Sequence, residues 1–342
     1  MNVSLSGLRV LDLTRALAGP YCTMILADLG AEVIKAEATP HGDMTRKWGP
    51  IDRDVSVYYI STNRNKKGVA LDFRDPKGRA LLRRIALGCD VVVENFKVGT
   101  IEAMGLGYEE LSRENPGIIL ASISGFGRTG PARDWAGFDQ IAQGYSGFMS
   151  ITGTPETGAT RVGTPIGDLT AGLWLTIGIL AALNERRRTG RGQHVDTSLL
   201  HGLMGLLVVQ GQRYLNLGEV PQPVGNAHPT IAPYGAFETA DGPMNLAPAT
   251  EAMWIRLCEL LGLDGLPRDP RFLQNDDRVK HRAELKALLE GKLREKTRAQ
   301  WTPIFLDNGI PAGPINTLAD VFSDAQVAAC GIVERVEHPV LG

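Results

Sequence analysis

The chain has little of what builds metal centres or cross-linked folds. Its four cysteines, Cys22, Cys89, Cys258 and Cys330, lie far apart with no C-x-x-C pair, and its six histidines do not cluster. No metal site or disulfide framework is expected, and reduced thiols in the cytoplasm fit best. Neither charge dominates: the net charge is −2, so no global field draws the protein to nucleic acid or to an anionic membrane. The N-terminus, MNVSLSGLRV, carries neither a basic segment nor an apolar one, which gives no indication of export. The longest apolar stretch, Leu169 to Leu183, is shorter than the ~20 residues that a bilayer core requires. The glycine fingerprint of dinucleotide enzymes is also missing, because the first turn reads Thr14-Arg15-Ala16-Leu17-Ala18-Gly19-Pro20.

Glycine and proline are plentiful, at 40 and 20 of 342 residues, and the length favours two domains over one. Short apolar runs alternate with helical spacing. Strands are expected at 8–13, 32–37, 69–73, 89–94 and 118–123, and helices at 18–29, 76–87 and 105–113. This rhythm predicts an α/β fold with an open, mostly parallel, Rossmann-like sheet. Ligands on such sheets collect at the carboxyl ends of the strands. Residues 39–67 read as a long polar loop whose Arg and Lys residues either hold phosphates or are simply solvated.

Val162 to Asp196 reads as the organising stretch. Asp168 opens an apolar helix that is expected to be buried, and Arg186 to Arg188 with Gly190 close it. Two readings of Asp168 stand: a structural N-cap, or a nucleophilic carboxylate that the helix N-terminus keeps ionised at neutral pH. A further apolar helix is expected to about Leu217, followed by a proline-marked boundary and a smaller α+β unit. The expected divisions are 1–224, 225–308, and a segment from 309 to 342 that returns to the large domain. Trp174 and Trp254 read as core residues, His228 as a loop histidine with a backbone contact, and Arg15 as a cation able to meet a carboxylate or phosphate.

Several pieces taken together resemble one family. Thr14-x-x-x-Ala18-Gly19-Pro20, Val33-Ile34-Lys35-x-Glu37, Gly42-Asp43, Asn65-Lys66, Leu71-Asp72 and Glu94-Asn95-Phe96 occur in that order. They are followed by Gly163-x-Pro165-x-x-Asp168, Thr189-Gly190-x-Gly192-Gln193 and Gly309-Ile310-Pro311-x-Gly313-Pro314. The chain thus resembles the class III CoA-transferases, which share a fold with 2-methylacyl-CoA racemases. The resemblance implies an interlocked homodimer acting on an acyl-CoA and a carboxylic acid, with no permanently bound cofactor, no nucleic acid and no membrane. It makes Asp168 the covalent nucleophile, and backbone amides around Gly163 to Gly167 or at the helix start candidates for stabilising an oxyanion. It assigns CoA contacts to Leu17, Ala18, Leu71, Asp72, Phe73, Arg74, Asn95, Phe96 and Lys97, and to Phe138 and Asp139.

Three departures refine the expectation. Phe138 stands where racemase relatives carry a histidine, which favours transfer over racemisation, although Asp139 with another acid is the pair a racemase would use. A third alternative is a CoA-binding relative without activity. The glycine-rich lid of the formyl-CoA enzyme is absent, and Leu17 replaces a polar glutamine. An acceptor with an apolar segment is therefore expected, such as a dicarboxylate whose far end meets Arg15 or His228. Lastly, the sequence ends at Gly342, whereas the relatives continue for several dozen residues, so part of the large domain is expected to be missing.

Overall fold

The computed structural model describes residues 4–342. The chain divides into two compact units: residues up to Gly153, Thr157–Pro223 and Glu337–Gly342 form the first, and Thr154–Glu156 with Val224–Val336 form the second.

The first unit is built on six parallel strands: β1 (Arg9–Asp12), β2 (Glu32–Ala38), β3 (Lys66–Leu71), β4 (Val91–Glu94), β5 (Ile119–Ser124) and β6 (His194–Ser198). Their spatial order is β3-β2-β1-β4-β5-β6. Val91, Val92 and Val93, like Ile119, Leu120 and Ala121, are fully buried, as expected of central strands covered on both faces. β6 is not legible in the sequence pattern. Its sequence, HVDTS, is polar and partly exposed, as an edge strand tolerates.

The helices that matter for the site are α1 (Ala18–Asp28), α2 (Val57–Asn63), α3 (Pro76–Leu87), α4 (Asp139–Tyr145), α5 (Ile166–Thr189), α6 (Leu199–Leu206) and α7 (Val208–Leu217). α2 and a small hairpin, Ile51–Asp52 with Val55–Ser56, occupy the stretch expected to be loop, and β3 begins three residues earlier than expected. The α6–α7 stretch, expected as one helix, breaks at Val208, where φ is +29°.

α5 packs on α1 and on the sheet. Ala171, Leu175, Ile179 and Ala182 join the same core as Val10, Val33, Val91 and Ile119. Gly172 permits the close approach to α1, because a Cβ there would stand 2.7 Å from the Ala18 carbonyl oxygen. At 24 residues, α5 is long and apolar enough to cross a membrane by length and composition, unlike the shorter apolar run read from sequence. Its inner face is nevertheless committed to the sheet and α1. The expectation of a buried helix holds on that face and fails on the other, where Leu173, Trp174 and Ile177 are exposed; Trp174 is therefore not a core residue.

The second unit has an antiparallel sheet of β7 (Gly235–Thr239), β8 (Gly242–Leu246) and β9 (Ala312–Pro314), with β8 central. The helices α8 (Glu251–Leu261), α9 (Arg282–Leu293) and α10 (Arg298–Leu306) enclose a core with Trp254, Phe272, Leu289 and Phe305. Because Ala312–Pro314 pairs with β8, the return to the first unit does not begin at 309. Only Glu337–Gly342 group with that unit, and there Arg53 donates to the Leu341 carbonyl at 3.0 Å.

Candidate active site

The strand order reverses direction between β1 and β4, and the connections that leave those two strands run to opposite sides. A crevice opens at such a switch point, outside the carboxyl ends of the strands. Here it lies between the turn after β1 and the turn after β4, and the two are tied together. The Arg15 amide donates to Asn95 Oδ1 at 2.9 Å, and Asn95 Nδ2 donates to the Arg15 carbonyl at 2.7 Å. The Arg15 guanidinium lies over the Phe96 ring, 5.5 Å from its centre.

A buried charged network holds the β1 turn from beneath. Lys35 Nζ contacts Asp43 Oδ2 at 3.1 Å and the Thr14 carbonyl at 2.9 Å. Asp43 Oδ1 accepts the amide of Ala16, a residue with φ of +64°. Asp12, fully buried, accepts from Lys66 Nζ at 3.1 Å and from the hydroxyls of Thr14 and Thr23. Burial opposes its ionisation, but Lys66 and Lys35 together hold its carboxyl well below the usual range. The cations of residues 39–67 are thus largely committed. Arg46 pairs with Glu37, Arg64 with Asp28, Lys66 with Asp12 and Lys67 with Glu32. Lys66 braces the fold from within, whereas Arg46, Arg64 and Lys67 form ion pairs at the surface, and none of the four lines the cavity described below.

On the far side of the crevice the chain after β5 turns back through Trp135–Asp139. Gly125 and Gly137 make this possible: a Cβ on Gly137 would lie 2.3 Å from the Gly125 Cα. Asp139 then starts α4 and reaches the beginning of α5. Its Oδ1 accepts the amides of Gly167 at 2.8 Å and Asp168 at 3.4 Å, and its Oδ2 accepts from Gln143 Nε2 at 2.6 Å. Pro165 occupies the N-cap, so Asp168 is the third helical residue and not the cap itself. Burial, and then the Asp139 charge, push the Asp168 carboxyl up to about 7. The expectation that the helix start keeps Asp168 ionised at neutral pH is thus opposed by desolvation and by a neighbouring carboxylate. The amides of Ile166 to Leu169 are engaged too, by Thr164, Asp139 and Pro165, so the helix start has no unused donor for an oxyanion.

Between these walls lies a cavity of about 750 Å³. Of the anticipated residues, Leu17, Ala18, Asn95, Phe96, Lys97, Phe138, Asp139 and Asp168 all line it. Leu71, Asp72, Phe73 and Arg74 do not. They lie at and just beyond the end of the edge strand β3, where Arg74 pairs locally with Asp72 and Phe73 packs against the core beside α3. Arg15 lines the cavity, whereas His228 belongs to the second unit, where its Nδ1 accepts the Thr230 amide. Sequence reading missed Trp48, Tyr58 and Arg161. Trp48 and Tyr58 meet edge to face at 5.3 Å. Burial, followed by the nearby Asp168, Asp139 and Asp43, raises the Tyr58 phenol above its usual range. Its signal was hidden in a stretch read as loop.

A family model described as CoA-transferase family III matches residues 5–342. The chain belongs to CoA-transferase family III. It is 43% identical to a mouse succinyl-CoA:glutarate CoA-transferase over 99% of this chain and 78% of that one. It is 40% identical to an acetyl-CoA:oxalate CoA-transferase of Acetobacter aceti over 94% of this chain and 83% of the other. Among solved structures, a CAIB/BAIF family protein from Brucella suis superposes with a TM-score of 0.87 at 44% identity, covering 97% of this chain and 89% of that one. As a family III member with relatives of this identity across nearly its whole length, the protein is an enzyme of the CoA-transferase type.

Proposed function

We propose that the protein moves CoA from an acyl-CoA to a carboxylic acid through covalent intermediates on Asp168. The observation that carries this reading is the Asp168 carboxylate at the wall of the switch-point cavity of a family III chain. An Asp168 oxygen attacks the thioester carbon, the C–S bond breaks, and a mixed anhydride and CoA thiolate result. The thiolate attacks the aspartyl carbonyl, releasing the donor acid and leaving CoA on Asp168. The acceptor carboxylate attacks this aspartyl thioester, giving a second anhydride and the thiolate again. The thiolate then takes the acceptor acyl group and frees Asp168. Bond energy is exchanged throughout, so no permanent cofactor takes part. Arg15 and Lys97, which line the cavity, are the cations assigned to the CoA phosphates in this reading.

A dicarboxylic acceptor suits a cavity whose lining includes apolar Leu17 as well as Arg133 and Arg161, and the succinyl-CoA:glutarate relative supports that class. The racemase alternative is disfavoured because both Asp139 oxygens are already engaged and Phe138 has no titratable group. We also propose a homodimer, in which a second copy covers the exposed apolar face of Leu173, Trp174, Ile177, Met204, Val208 and Leu215; sedimentation of the purified protein tests this. A cytoplasmic setting accords with four unpaired cysteines. For the activity itself, Asp168→Asn and Asp168→Ala are expected to abolish exchange between succinyl-CoA and a panel of dicarboxylates while leaving CoA affinity within a few-fold. Turnover near wild type in either variant would sink the assignment.

A further inference from the structure

Asp139 and Gln143 lie one helical turn apart on α4, and both are buried, with relative exposures of 8% and 0%. They form a closed chain of bonds with the segment that delivers Asp168. Asp139 Oδ1 holds the Gly167 amide at 2.8 Å, Gln143 Nε2 donates to Asp139 Oδ2 at 2.6 Å, and Gln143 Oε1 accepts the Val162 amide at 2.9 Å. The fit around Gly167 is tight, since a Cβ there would stand 3.0 Å from both Asp139 Oδ1 and Leu203 Cδ1. Two side chains from one helix thus pin both ends of the 162–168 segment.

We propose that Asp139 and Gln143 are positioning residues for the Asp168 nucleophile, with the Asp139 carboxylate clamped beside it by the Gly167 amide and by Gln143. The proposal rests on the covalent reading of Asp168. A carboxylate that is more basic is also more nucleophilic, provided the pH is high enough to ionise it. Other groups facing the same cavity are Tyr58 on α2, Arg15 and Lys97 after β1 and β4, Arg133 and Asp134 after β5, and Arg161 before α5. Arg161 donates to the Val162 and Gly163 carbonyls, Arg133 leans on Asp134, and Arg15 lies over Phe96. None of these cations forms an ion pair with Asp168 among the described residues, so the Asp139 charge acts on it without a counterweight.

The test measures the ionisation of Asp168 directly, by carboxyl ¹³C NMR of aspartate-labelled protein with the resonance assigned from Asp168→Asn, alongside the pH profile of kcat/KM. In Asp139→Asn, and in Asp139→Ser as a second neutral residue able to accept the Gly167 amide, the midpoint is expected to fall by about one pH unit, with a lower kcat on the alkaline plateau. Gln143→Met, which keeps the charge but loses the clamp, is expected to lower kcat while moving the midpoint much less. A midpoint that stays put in both Asp139 variants overturns the proposal. Should Asp168→Asn retain turnover, the nucleophile reading fails, but the NMR midpoint still decides whether Asp139 controls Asp168.

Discussion

Asn95 grips the backbone of Arg15 from both sides, accepting its amide at 2.9 Å and donating to its carbonyl at 2.7 Å. The pair closes the switch point between β1 and β4 and fixes the wall on which CoA is expected to rest. Asn95→Ala removes both bonds and leaves that turn to water. We expect KM for acyl-CoA to rise roughly 5- to 20-fold, in line with one to two net hydrogen bonds, with kcat changed less. Steady-state kinetics at saturating acceptor checks this split.

Lys35 and Asp43 form an ion pair whose side chains are about 1% and 0% exposed. Breaking one partner strands the other charge in the interior. Lys35→Met or Asp43→Ala is expected to destabilise the fold by about 3–5 kcal/mol, whereas loss of an exposed pair such as Lys67–Glu32 is expected to cost far less. Urea denaturation of the single variants measures both values.

The raised ionisation of Asp168 carries a sign for stability as well as for rate. A carboxyl held at about 7 in the folded state, against 3.8 in the unfolded chain, binds its proton more tightly when folded. Its contribution to stability is present below pH 3.8 and is lost progressively as the pH rises to about 7. Asp168→Asn should therefore melt higher than wild type at pH 8, and the gap should close towards pH 4. In wild type, kcat/KM should rise with pH and level off above about 7, because only the ionised form attacks. Thermal melts and a pH–rate profile check the two halves separately.

Leu17 is buried at the cavity wall, 6% exposed, at the entry to α1. An apolar side chain offers no partner to a compact, doubly charged acid such as oxalate. Leu17→Gln is expected to lower kcat/KM for a longer dicarboxylate by about 1–3 kcal/mol and to improve it for smaller, more polar acids. Wild-type use of oxalate as readily as glutarate would contradict this role for Leu17.

How far these features were legible in the sequence depends on what each required. The β1–α1–β2 unit and β4 and β5 are written in contiguous apolar residues, so their order and burial followed from local pattern alone. β3 starts three residues before the stretch that reads as strand, because it opens with Lys66 and Lys67, which read as surface. Only the fold reveals Asp12 waiting for Lys66 across the neighbouring turn. Asp168 is visible as a helix-start acid, but its basicity depends on burial and then on Asp139, 29 residues away, and no local pattern encodes either. Trp174 differs for the opposite reason: an apolar helix face reads as core even where the fold leaves it about half exposed. The Leu71–Arg74 segment carried the family motif, yet it sits at a sheet edge outside the cavity.

The central claim is a covalent bond to Asp168, and trapping it is the most direct measurement. The enzyme is mixed with succinyl-CoA, quenched within one turnover and digested, and the peptide containing Asp168 is weighed with and without hydroxylamine. The account predicts a CoA thioester on Asp168 that hydroxylamine converts to a hydroxamate, and no adduct in Asp168→Asn. Turnover with no modified Asp168 at any quench time, or an adduct on another carboxylate that persists in Asp168→Asn, would contradict it.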